Sequence, residues 1–217
     1  MIEIIPSIIS KDFEDFREKV EMVEPFVDRI QIDIMDGIFV PQTTFDGLEA
    51  VEDVETDIDM EVHLMVARPE NHINQWLDKP ISRIIIHQEA TQKILESIKM
   101  IKEGEQLCGV ALNPETPIDV VKDFIGEIDF IQFMTVEPGQ YGAPFIPDVL
   151  EKVKDFHYLY SDIPIQVDGG INDQTILEAT LSGATIFAVG SYIFDSENSP
   201  EETIAILQGA TKGNLNK

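Results

Sequence analysis

Two aspartates and a histidine occupy matching places in three short runs rich in β-branched residues: Asp33 in RIQIDIM (29–35), His63 in MEVHLMV (60–66) and Asp168 in PIQVDG (164–169). Side chains of a strand alternate between its two faces, so Gln31, Asp33 and Met35 lie opposite Ile30, Ile32 and Ile34. By the same period Glu61, His63 and Met65 oppose Val62, Leu64 and Val66, and Gln166 and Asp168 oppose Val167. If the aliphatic faces pack against helices, the polar faces share one enclosed interior. Burying a carboxylate without a partner costs several kcal/mol, so two of them beside an imidazole require a divalent cation, a shared proton or a dense hydrogen-bond network. The donor set suits Zn²⁺, Mn²⁺ or Fe²⁺, and a pair of carboxylates suits acid–base chemistry. A satisfied polar cluster of the core is the competing interpretation.

Glycines form a second constellation. EPGQYG (137–142), DGG (168–170) and VGS (189–191) each follow an apolar run, and they bring Gly139, Gly142, Gly169, Gly170, Gly190 and Ser191 to consecutive strand ends. A bare backbone can approach phosphate oxygens more closely than any side-chain-bearing residue. Each glycine taken singly also reads as an ordinary turn.

The elements that must carry these residues repeat eight times. Strands are expected at 2–9, 29–35, 60–66, 83–88, 106–113, 129–136, 164–169 and 185–191. Amphipathic helical spacing fills 12–26, 69–79, 91–104, 117–127, 146–160, 173–183 and 199–210, with a short helix at 48–55. Asp12, Pro69, Thr91, Pro117, Pro147, Asp173 and Ser199 sit near the starts as caps or first-turn residues. Eight strand–helix units predict an α/β fold of the (β/α)8 TIM-barrel type, a single domain over 1–217 with a frayed tail at about 211–217. A doubly wound open sheet would call for a Gly-rich turn after its first strand, whereas this one ends in PSIISKDF. In a barrel, the mouth at the C-terminal strand ends is where catalytic groups gather, and the loops after strands seven and eight frequently hold phosphate.

Composition narrows the partners. The 217 residues include 41 Asp and Glu against 15 Lys and Arg, a formal net charge of −26, and such a field repels nucleic-acid backbones. It also disfavours an anionic small ligand unless that ligand is held at short range. No apolar stretch approaches a membrane span, and the start MIEIIPSIIS lacks a basic region before an apolar one. The lone Cys108 sits in the apolar run QLCGVAL and reads as a core residue. A cytoplasmic protein is expected.

The runs PSIIS (6–10), IDIMDGIFVPQTTF (32–45), VHLMVARPE (62–70), VALNPETP (110–117), MTVEPGQYG (134–142), FIPDVLEKV (145–153), VDGGI (167–171) and VGSYIF (189–194) resemble the ribulose-5-phosphate 3-epimerase family over nearly the whole chain. The resemblance implies a barrel that interconverts ribulose 5-phosphate and xylulose 5-phosphate with a divalent cation (Zn, Mn, Fe or Co). It assigns Asp33 and Asp168 as acid/base pair and metal ligands, His63 as a further ligand, and Ser7 as a substrate contact. Met35, Met65 and Met134 match a methionine collar at the reacting carbons, and Gly139, Gly142, Gly169, Gly170, Gly190 and Ser191 match the phosphate loops. It also implies a homo-oligomer.

Two positions depart from the family pattern. Gln31 stands where a fourth ligand histidine is expected, and Tyr141 stands where the phosphate loop has a glycine. For the metal, three readings stay open: Asp33, His63 and Asp168 with Gln31 or water; a harder ion such as Mn²⁺ or Mg²⁺; or loss of tight binding. For function, the alternatives are the same proton transfer on allulose 6-phosphate and a non-catalytic phosphosugar binder. A decarboxylase or aldol-type relative would carry Asp-x-Lys-x-x-Asp on strand two, and Asp33-Ile34-Met35-Asp36 has no lysine. His72, His157 and Trp76 read as surface or packing residues, Asp36 as a turn residue, and His87, of inward parity, as a lining or supporting group.

Overall fold

The alternation of aliphatic and polar residues closes into a barrel in the computed structural model, which describes residues 2–212. Its strands are β1 (Glu3–Ile8), β2 (Arg29–Met35), β3 (Asp59–Met65), β4 (Arg83–His87), β5 (Leu107–Leu112), β6 (Phe130–Met134), β7 (Ile165–Asp168) and β8 (Ile186–Val189). Every neighbouring pair is parallel, and β1 returns to β8 with Glu3 opposite Ile186. All eight strands lie within a residue or two of their expected bounds. The outward faces, including Ile30, Ile32, Val62, Leu64 and Val167, join the buried core against the helices, where Trp76 also packs. Each fully buried aliphatic side chain there contributes about 1.5–3 kcal/mol relative to exposure.

The helices are α1 (Phe13–Val23), α2 (Ala50–Asp53), α3 (Ile73–Leu77), α4 (Ile94–Glu103), α5 (Val149–Leu159), α6 (Thr175–Leu181), α7 (Ser191–Phe194) and α8 (Pro200–Lys212). Asp12 caps α1 by accepting from the Asp15 N–H at 2.9 Å, and Ser199 and Glu202 form a reciprocal capping box at α8. Asn172 Oδ1 accepts from the N–H groups of Gln174 and Thr175 in the turn that leads into α6. The expected helix at 117–127 is instead a 3-10 segment, Ile118–Asp123. Ile118, Val120 and Val121 are poor helix formers and Gly126 follows them, so the short connection tightens rather than propagating an α-helix. Thr211 and Lys212 belong to α8, and the rest of the expected frayed tail, 213–217, lies outside the described residues. No helix among the described residues is long and apolar enough to cross a membrane.

A chain of polar side chains runs through the barrel interior from floor to mouth, beside a small apolar cluster of Ile85, Ala111 and Phe130. At the floor Arg29 pairs with Glu3 and Asp59, and Arg83 reaches Glu61 at 3.2 Å and Glu3 at 3.3 Å while lying over the Phe130 ring. Gly109 makes room for that ring, since a Cβ there would stand 2.4 Å from it. Glu61 is fully buried, and burial pushes its carboxyl up to about 7 against the opposing pull of Gln166 and Arg83.

Candidate active site

Strand register sets the three chemically active side chains beside one another. Asp33 on β2 is directly opposite His63 on β3, and Met134 on β6 is opposite Asp168 on β7. The end of β7 is fixed by Thr135, whose Oγ1 donates to the carbonyls of Asp168 and Gly169 at 3.0 and 2.6 Å. His63 Nδ1 lies 3.0 Å from Asp33 Oδ1 and 3.3 Å from Asp168 Oδ2. One ligand atom from each of the three falls within 4.8 Å of the others, and all three residues are buried. This donor set, two carboxylates and an imidazole nitrogen around one point, fits a divalent cation.

The charge balance follows from the packing. Burial alone would lower the His63 imidazole, but the hydrogen bonds to Asp168 and Asp33 outweigh it and raise it to about 9. Burial and the neighbouring Asp168 charge push Asp33 up to about 6, against the opposing pull of His63 and Gln31. One proton thus stays on His63 between two acids that repel each other. Its second nitrogen, Nε2, faces Nε2 of His87 at 2.8 Å, and His87 Nδ1 faces Glu89 Oε2 at 3.5 Å. Burial, with the His63 charge beside it, lowers His87, so the unprotonated His87 Nε2 accepts from His63 and orients its ring with Nδ1 toward the carboxylates.

A cavity opens above this cluster at the barrel mouth. Its walls include Ser7, Asp33, Met35, Met65, Met134, Gly139, Gly142, Asp168, Gly169, Gly170, Gly190 and Ser191, so the structure brings every candidate substrate residue except His63 to one surface. His63 and Gln31 lie beneath it, without solvent exposure. The glycine end requires glycine: Gly170 has φ +64, and a Cβ there would stand 2.9 Å from the Phe145 backbone. Tyr141, half exposed, leans over Gly190, and burial and Asp195 hold its hydroxyl protonated. None of the described lining residues is basic.

Sequence reasoning missed Gln132. It shares the inward parity of Met134 on β6, which was the available signal, and its Nε2 lies 3.2 Å from both His63 Nε2 and Asp168 Oδ2. Gln31 Nε2 approaches Asp33 Oδ1 at 2.9 Å and Asp168 Oδ2 at 2.8 Å. Asp36 is a turn residue, accepting from the N–H groups of Ile38, Phe39 and Ala67, and these bonds hold its carboxyl low despite partial burial. Cys108 is fully buried and burial raises its thiol. His157 is exposed on α5 and His72 is half-buried.

A profile of the ribulose-phosphate 3 epimerase family matches residues 3–194. The ribulose-phosphate 3-epimerase of Schizosaccharomyces pombe is 35% identical over 213 residues, covering 96% of this chain and 93% of that protein. That of Bacillus subtilis is 35% identical over 218 residues, covering 97% of this chain and 100% of that protein. Among solved structures, 3-hexulose-6-phosphate synthase from Salmonella typhimurium aligns with a TM-score of 0.77 at 16% identity, covering 97% of this chain and 99% of that one. KGPDC from Streptococcus mutans aligns with a TM-score of 0.77 at 15% identity over 97% of each chain. These two share the barrel fold, whereas the profile and the two epimerases follow the sequence itself from the first strand to beyond the last: the chain belongs to the ribulose-phosphate 3-epimerase family and is an isomerase.

Proposed function

We propose that the protein interconverts ribulose 5-phosphate and xylulose 5-phosphate by moving a proton at carbon 3 between Asp33 and Asp168. The observation that carries this reading is the convergence of both carboxylates on one cavity floor, with a glycine-built pocket at the other end of the same cavity. Epimerisation next to a ketone removes the carbon 3 proton, passes through an enediolate, and returns a proton to the opposite face. Asp33 and Asp168 come from β2 and β7, with two strands between them, which suits approach from two sides of a flat intermediate. In either direction one carboxylate accepts the proton and the other donates one. The buried methionines Met35, Met65 and Met134 exclude water and offer no competing proton donor. Backbone N–H groups around Gly142, Gly170, Gly190 and Ser191 hold the phosphate without a basic side chain.

Asp33, His63 and Asp168 would hold a divalent cation. Bound there, it supplies Lewis-acid stabilisation of charge on the substrate oxygens.

Ribulose 5-phosphate incubated in D₂O with the Mn²⁺-, Zn²⁺-, Fe²⁺- or Co²⁺-supplemented protein tests the reading. Deuterium is expected at carbon 3, with xylulose 5-phosphate formed. No exchange with any of these ions overturns it, and exchange confined to allulose 6-phosphate transfers the same chemistry to a six-carbon substrate.

A further inference from the structure

Which end of the Gln31 amide faces the carboxylates is decided by groups far below the mouth. Gln31 Oε1 accepts from Gln166 Nε2 at 2.8 Å, and the same nitrogen donates to Glu61 Oε1 at 2.7 Å. Glu61 Oε2 in turn accepts from Arg83 Nη1 at 3.2 Å. Gln31, Gln166 and Glu61 have no solvent exposure. In its ionised form, paired with Arg83, Glu61 only accepts hydrogen bonds, and so admits the NH₂ end of Gln166 and repels its oxygen. That nitrogen needs an acceptor from Gln31, which leaves the Gln31 NH₂ group for Asp33 Oδ1 and Asp168 Oδ2. Turning Gln31 alone sets two NH₂ groups against each other. Turning both sets the Gln166 oxygen against the Glu61 carboxylate. Either arrangement leaves buried polar groups opposed and unpaired.

We propose that Gln31 is a positioning donor for the acid/base carboxylates and not a metal ligand, its polarity fixed from the barrel floor through Arg83, Glu61 and Gln166. Gln132 supports Asp168 from the β6 side in the same way. The consequence for a cation rests on the metal reading above: the protein then supplies three ligands, Asp33, His63 and Asp168, and Gln31 aims their oxygens.

Cobalt(II) in the protein at pH 8 reports its ligands through visible absorption. Gln31→Leu is expected to keep the Co²⁺ band intensity, which reports coordination number, while turnover falls about 10–100-fold; an intensity that shows one ligand fewer overturns the proposal. Glu61→Gln places at the floor an amide that can donate to Gln166 Oε1 and lets the chain reverse. Its Co²⁺ band intensity is expected to change, and to return to the parent value in the Glu61→Gln, Gln31→Leu double variant; an unchanged intensity in Glu61→Gln overturns the role of the floor. If Asp33→Asn and His63→Ala bind Co²⁺ with the parent spectrum, the metal reading fails instead. The metal-free protein then still decides the point. In its ¹H–¹⁵N spectra the Gln31 side-chain amide protons are expected to exchange slowly and give cross-peaks to the His63 ring, and their absence overturns the proposal whatever the metal result.

Discussion

In the proposed reaction Asp33 and Asp168, which share one histidine proton, face the substrate separately, and this division of labour has a specific kinetic signature. Replacing either with asparagine removes one proton carrier and keeps the shape of the site. Each variant is expected to lose about 10²–10⁴-fold in epimerisation, and to retain more deuterium exchange into one epimer than conversion to the other. A loss below tenfold in either variant, measured by NMR in D₂O, contradicts the two-carboxylate assignment. The cluster also predicts how a cation must enter. His63 holds its proton to about 9, so a cation taking Nδ1 has to displace that proton, and Asp33 takes up another as pH falls through about 6. Affinity should therefore rise with pH up to about 9 and level off above it, and calorimetry at pH 7.5 in buffers of different ionisation heat should register about one proton released per ion. Affinity independent of pH over that range would remove His63 from the ligand set. Asp33, His63 and Asp168 were legible in the sequence because period-two parity alone marks them as inward. The direction of the Gln31 amide was not, because it depends on Glu61 and Gln166, which meet Gln31 only when the barrel closes.

At the scale of elements, the strands were readable because each pairs an aliphatic face with a polar one, while the connections obeyed weaker rules. The segment 117–127 looked helical by spacing, but its branched residues and short span favoured 3-10 turns. The closing of strands β1 to β4 over the floor brings Glu3, Arg29, Asp59, Glu61 and Arg83 together, a network no local pattern reveals. It has a thermodynamic consequence. The Glu61 carboxyl is held near 7 in the folded protein against 4.5 ordinarily, so between those values the folded state keeps a proton that the unfolded chain has released. Stability must then fall as pH rises through this window, by on the order of 3 kcal/mol from this group alone. Glu61→Gln, which cannot ionise, is expected to lose that slope. Denaturant unfolding of both proteins from pH 4.5 to 8 tests this, and parallel stability curves would show that Glu61 ionises in the fold without penalty.

The whole molecule carries a net charge of −26, and its proposed substrate is an anion. The cavity does not compensate with basic side chains: none of its described lining residues is basic, and Asp195 stands beside Tyr141 at the rim. In the proposed reading, attraction in the site is of short range, from backbone N–H groups and the cation that Asp33, His63 and Asp168 would hold, whereas repulsion is of long range and spread over the surface. The two respond differently to salt. At about 10 mM ionic strength the screening length is about 30 Å, larger than the barrel radius, and an approaching phosphate feels much of the surface charge; at about 150 mM it is about 8 Å, and the distant carboxylates drop out. Contacts inside the site hardly change over this range. Added KCl is therefore expected to raise kcat/KM about 2–10-fold between these conditions and to leave kcat nearly constant, once metal loading is kept saturating. Stopped-flow or coupled assays across the salt series would decide it. A kcat/KM that falls with salt would mean that the local field of the cation outweighs the surface charge even at a distance, and that the acidic surface is electrostatically silent toward the substrate.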